Sequence, residues 1–158
     1  MANRVLISME DGLEPVEWLS KAEAFIYKIM ERLELDGEEV SVLFCTDAFI
    51  QNLNREYREI DAPTDVLSFE NGEEYEDDEG KWLSAGDIVL SLETLPKNAQ
   101  YFEVNEDTEL KRLLIHGLLH INGYDHGEEH IEKGVKPECE MLVLQETILE
   151  EVSELKIM

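Results

Sequence analysis

The chain has four histidines, and all lie between residues 116 and 130. Three of them stand in the run His116-Gly-Leu-Leu-His120-Ile-Asn-Gly-Tyr-Asp-His126. A helix puts residues four apart on one face, one turn from each other, so His116 and His120 can share an ion. Asn122-Gly123 then stops the helix, because glycine takes the left-handed C-cap conformation without steric cost. The chain can turn back and bring His126 to the same point. Three imidazoles with a fourth position open are the ligand set of a catalytic zinc rather than of a closed structural site. An ion so held lowers the pKa of water from about 15.7 toward about 7 and polarises a carbonyl or phosphoryl oxygen, and both services support hydrolysis. Other divalent transition metals also accept three imidazoles. His130, in the polar stretch GEEHIEKG, reads as a solvated surface residue. Asp125 has two readings, a carboxylate that orients a ligand ring or a turn-former.

The same spacing, His-x-x-x-His-x-x-Gly-x-x-His, occurs in metzincin peptidases, which carry a glutamate directly after the first histidine as general base. Here that place is Gly117. A zinc-dependent peptidase or amidase is therefore the rival that the spacing suggests and residue 117 opposes.

The elements that must hold these residues can be read from apolar spacing. Arg4 to Ser8 reads as a strand. Pro15 is placed to begin a helix running to about Leu35, with Trp18, Leu19, Ala22, Phe25, Ile26, Ile29, Met30 and Leu33 inward and Asp36-Gly37 ending it. Glu39 to Cys45 is a buried strand, and Thr46 is an N-cap for a helix through Tyr57 with Phe49, Ile50 and Leu53 on one face. Arg58 to Thr64 is an irregular turn, Val66 to Phe69 a strand, and Asn71 to Lys81 (NGEEYEDDEGK) a solvated acidic loop. Leu83 to Ser91 is a strand, and Glu93 to Phe102 a short helix. Glu106 opens a helix with Leu110, Leu113, Leu114, Leu118 and Ile121 inward. Pro137 starts a last helix through about Leu155, with Met141, Leu142, Leu144, Ile148 and Leu149 inward. The order predicts an α+β fold: a small mixed sheet packed with about five helices, the metal site at a helix end, in a single domain over residues 1–158.

A chain of 158 residues with 43% apolar residues can bury a core despite a formal charge of −25. No run approaches the roughly 18 apolar residues of a membrane helix, and the N-terminus lacks the features of a signal peptide. Two cysteines, Cys45 and Cys139, are no disulfide framework. A cytoplasmic location follows as the expectation, with no membrane partner. The acidic balance repels nucleic acid at long range, so such a partner requires local cations at the site.

HGLLHINGYDH resembles the signature of the YbeY family of bacterial rRNA-maturation endoribonucleases. LNREYREIDAPTDVLSF (Leu53 to Phe69) and GDIVLS (Gly86 to Ser91) fit the same family in the same order, so the resemblance covers most of residues 50 to 130. It implies a metal-dependent, single-strand-selective endoribonuclease acting on 16S rRNA precursors and in ribosome quality control. It implies His116, His120 and His126 as metal ligands, and Arg58 as the functionally important arginine. A guanidinium opposite a metal can hold a scissile phosphate through paired donors and stabilise charge in the transition state. The plainer alternative for Arg58 is an ion pair with Glu56, Glu59 or Asp61. Lys111 and Arg112 precede His116 by about one turn and are candidates for added positive potential; Arg55 and Lys97 are weaker ones. A non-enzymatic rival is a ribosome assembly factor whose acidic surface meets basic ribosomal proteins.

Overall fold

The computed structural model of the chain describes residues 2–158. The strands β1 (Arg4–Met9), β2 (Glu38–Cys45), β3 (Val66–Asp77) and β4 (Gly80–Ser91) form one sheet in the order β1-β2-β4-β3. β1 and β4 run parallel to β2, and β3 is antiparallel to β4, so the sheet is mixed. Five helices accompany it among the described residues: α1 (Leu19–Arg32), α2 (Asp47–Arg58), α3 (Thr94–Phe102), α4 (Glu106–Ile121) and α5 (Glu140–Glu151). This is the single α+β domain that the element order implied.

Side chains alternate across a strand, and the sheet uses both faces. Val40, Val42 and Phe44 of β2, with Ile88 and Leu90 of β4, face the main core beside α1, α4 and α5. Cys45 of β2 and Val89 of β4 face the other way, onto Leu67 and Ile50 of α2. Burial pushes the Cys45 thiol up to about 12, so it behaves as a small buried hydrophobe. Helix α4 is wrapped on nearly all sides, and Leu110, Leu113, Leu114, Leu118 and Ile121 are all buried. Its contact with the sheet is very close. A Cβ on Gly117 would lie 2.9 Å from Ile88, and one on Gly86 would lie 2.3 Å from the Phe69 carbonyl oxygen and 2.9 Å from Ile121.

The expected helix starts and stops are met in part. Thr46 caps α2 through a hydrogen bond accepted from the Phe49 N–H. Helix α1 begins at Leu19 rather than Pro15, because Glu14, Pro15 and Glu17 are exposed and offer no packing for an extra turn. It ends at Arg32, ahead of Asp36-Gly37. Glu34 takes a left-handed φ of 59°, and the Leu35 and Glu34 amides donate to the Met30 and Glu31 carbonyls, a Schellman turn made without glycine. Helix α5 begins at Glu140, after Pro137, and ends at Glu151 rather than Leu155.

The larger correction concerns Asn71 to Lys81, which is not a loop. β3 continues to Asp77 and β4 begins at Gly80, so this acidic stretch is the far end of an antiparallel hairpin with only Asp78 and Glu79 between the strands. All of Glu70 to Asp77 is exposed, so no inward and outward alternation marks it as strand. Its charge is offset by Arg4 from β1, which pairs with Asp77 at 2.9 Å and Glu79 at 2.7 Å and lies 4.0 Å over the Trp82 ring. The Trp82 indole N–H donates to Asp77 at 2.9 Å. If this clamp orders the hairpin, Arg4→Met will speed amide exchange from Glu73 to Leu83 about tenfold and leave α4 protected. Hydrogen-exchange mass spectrometry reads both, and unchanged hairpin protection would refute the clamp.

Candidate metal centre

His116 and His120 sit on the last two turns of α4, on the stripe that also carries Glu109, Arg112 and Leu113 toward one cavity of about 590 Å³. The helix stops as its sequence directs. Gly123 has a φ of 92°, its amide donates to the His120 carbonyl, and the Tyr124 amide donates to the Leu119 carbonyl. Asp125 accepts from the Gly127 amide at 3.0 Å, which tightens the return that carries His126 back. The structure thus gives Asp125 the turn-forming part.

The three rings converge. Their centroids are 4.9 Å apart for His116 and His120, 5.3 Å for His116 and His126, and 5.2 Å for His120 and His126. One ligating atom of each lies within 4.8 Å of the others, and among the described residues this is the group able to hold a metal ion. His130 is exposed, its ring tilted 5.2 Å from that of His126, but it stays outside that group. Cys139 precedes α5 and is likewise outside it.

The protonation of the rings suits a cation. Burial, the largest influence, pushes the His116 imidazolium down to about 4, and burial followed by the neighbouring His126 lowers His120. His116 is therefore a neutral ring at pH 7, with a lone pair to give. Its Nδ1 lies 2.7 Å from the Gln145 side-chain oxygen, and His126 Nδ1 lies 2.7 Å from the Glu129 carbonyl oxygen. Both partners accept, so in both rings Nε2 is the free nitrogen. The donor set and its convergence fit a divalent transition metal.

Glu129 and Gln145 were not singled out from the sequence. The Glu129 carboxylate accepts the Glu138 and Cys139 amides at 2.7 Å each, which holds its carboxyl below the usual range and ties the His126 loop to the start of α5. No sequence signal marks Glu129. Gln145 did leave one: it is the single polar side chain within the inward stripe Met141, Leu142, Ile148, Leu149.

Arg58 closes α2 and faces the same cavity. It is exposed, donates to the Ser68 carbonyl at 2.9 Å and lies 5.2 Å over the Phe69 ring. Among the described residues it enters no ion pair; Asp61 pairs with Arg55 instead, at 3.4 Å. The other candidate cations are committed elsewhere. Arg112 lines the cavity, but its charge is taken by Glu109 at 2.5 Å and Glu146 at 3.1 Å. Lys111 is buried, pairs with Asp107 and donates to the Leu155 carbonyl at 2.8 Å, so it anchors the C-terminus and adds nothing to the cavity. Lys97 pairs with Asp47 at 3.4 Å.

Comparison with known proteins agrees with the geometry. The family model described as Endoribonuclease YbeY matches residues 8–153. Relatives named Endoribonuclease YbeY include one from Treponema denticola, 46% identical over 99% of this chain and 98% of its own length. One from Aquifex aeolicus is 35% identical over 96% of this chain and 93% of its own. A solution structure of a Thermotoga maritima protein superposes with a TM-score of 0.62 at 30% identity, covering 95% of this chain and 89% of that one. The chain belongs to the YbeY family of endoribonucleases, hydrolases of phosphodiester bonds.

Proposed function

We propose that the chain is a zinc-dependent, single-strand-selective endoribonuclease acting in the cytoplasm on 16S rRNA precursors, and so in ribosome maturation and quality control. The observation that carries this reading is the sharing of one cavity by three converging imidazoles and an arginine that, among the described residues, has no carboxylate partner. His116, His120 and His126 hold the ion through ring nitrogens. When bound there, zinc supplies Lewis acidity and makes hydroxide accessible near neutral pH. Arg58 takes the non-bridging oxygens of the scissile phosphate, orients it, and stabilises the charge that grows on it. A cavity of about 590 Å³ accommodates a nucleotide splayed from its neighbours, which favours unpaired over duplex RNA. The exposed acidic hairpin suits contact with basic ribosomal proteins rather than with the RNA itself.

This reading predicts the behaviour of ligand and Arg58 variants. His116→Ala and His120→Ala each lose retained zinc, measured by elemental analysis, and cleavage of a single-stranded 16S precursor fragment is lost with it. Full cleavage by a metal-free variant lacking all three ligands would overturn the reading. Arg58→Ala keeps its zinc while kcat falls by about 10²–10³, and Arg58→Lys recovers only part of the loss because an ammonium cannot grip phosphate through paired donors. An Arg58→Ala enzyme with wild-type kcat would remove Arg58 from the mechanism.

A third prediction follows from the burial of His116. Its folded pKa, about 4, lies below the ordinary imidazole value of 6.5. Between those values the unfolded chain binds the extra proton, so stability rises with pH across that window and is lost as pH falls. Chemical denaturation of the zinc-free protein should lose on the order of 3 kcal/mol from this group between pH 6.5 and 4. His116→Asn should flatten that slope, and an equally steep slope in the variant would assign it to other groups.

A further inference from the structure

We infer that Gln145 is a positioning residue for His116, which fixes the tautomer that leaves Nε2 free. The inference rests on the metal reading above for its consequence, though not for its geometry. Gln145 is 1% exposed and lies on the inward face of α5, with its side-chain oxygen 2.7 Å from His116 Nδ1. An amide oxygen only accepts, so Nδ1 must carry the hydrogen and Nε2 must carry the lone pair. In water a neutral imidazole favours the opposite tautomer, with the hydrogen on Nε2, which would close that nitrogen to a metal.

An amide has two ends, and turning Gln145 over would reverse the outcome. Its NH₂ would then face Nδ1, which would have to accept. The neighbouring side chains forbid this. Gln145 Nε2 lies 3.0 Å from a Glu146 carboxylate oxygen, which can only accept, so the NH₂ end belongs there. Glu146 is held in turn by Arg112, through Nε at 3.1 Å and Nη2 at 3.2 Å. Arg112 is fixed from its other side by Glu109, 1% exposed, at 2.5 Å. The buried charge pair thus sets the carboxylate, the carboxylate sets the amide, and the amide sets the ring. This accounts for an arginine that lines the cavity without offering charge to it. A ligand ring oriented through its other nitrogen is the general way in which neighbouring groups tune a metal site.

The test is nitrogen-15 NMR of the histidine rings in zinc-free wild type, paired with zinc affinity by chelator competition. His116 should show a protonated Nδ1 and an unprotonated Nε2. Gln145→Leu, which keeps volume and removes the acceptor, should weaken zinc binding about 10–100-fold with the circular dichroism spectrum unchanged. A His116 protonated on Nε2 in wild type overturns the inference, as does a folded Gln145→Leu protein with zinc affinity within about twofold of wild type. Should Gln145→Leu fail to fold, the tautomer of His116 in wild type still decides. Wild-type protein that binds no zinc would refute the metal reading alone, because the tautomer is read without metal.

Discussion

The depth at which α4 lies against the sheet is the constraint from which the site follows. Gly117 leaves no room for a side chain over Ile88, and Gly86 leaves none between the Phe69 carbonyl and Ile121. These two absences let the helix settle onto β4 and fix its rotation. With residue 117 turned to the sheet, the stripe of residues 109, 112, 113, 116 and 120 must look into the cavity. That burial also decides protonation, because removing the rings from water disfavours their charged form. One packing contact thus sets both the direction of the ligands and the lone pairs they carry.

The same depth explains how a chain with a formal charge of −25 presents a site to a polyanion. Seven of the 38 acidic side chains lie on the exposed far end of the β3–β4 hairpin, where Arg4 offsets part of their charge. Exposed charges more than about 8 Å apart are largely screened at physiological ionic strength. Carboxylates lining the cavity are kept occupied: Asp65 accepts from the Val66 amide and from Asn98, Glu109 faces Arg112, Asp125 accepts the Gly127 amide, and Glu129 accepts those of Glu138 and Cys139. Among the described residues Arg58 has no such partner, and the nearby Asp61 is engaged by Arg55. Local bookkeeping of this kind, and not net charge, governs what the cavity attracts.

Much of this was legible in the sequence, for identifiable reasons. Histidines at a four-residue interval before Asn-Gly encode both a shared face and a stop, so the three rings could be placed before any coordinates. Apolar stripes gave the helices and the alternating strands gave the sheet. What could not be read was whatever depends on a distant partner. The far end of the hairpin has no buried face, and its strand character comes only from pairing with Lys81 to Ser84 and from Arg4. The end of α1 depends on Glu34 accepting a left-handed φ that glycine would normally supply. Lys111 and Arg112 carry the same charge in the sequence, yet one is spent on C-terminal carbonyls and the other on two carboxylates. Glu129 reaches residues nine and ten positions away, a contact with no local pattern.

The spacing shared with metzincin peptidases shows where a motif stops carrying chemistry. In those enzymes the residue after the first histidine is a glutamate that serves as base. Here a Cβ at the same position would already lie 2.9 Å from Ile88, so a longer side chain would have to lift α4 from the sheet and take His116 with it. The three-histidine geometry and a base at residue 117 are therefore mutually exclusive in this fold. In those peptidases that base prepares water for attack on a neutral peptide bond. A phosphodiester already carries a negative charge and gains most from groups that neutralise the further charge of its transition state. The cavity has Arg58 facing the ligand cluster and glycine where the base would stand, and that combination suits phosphate far better than peptide.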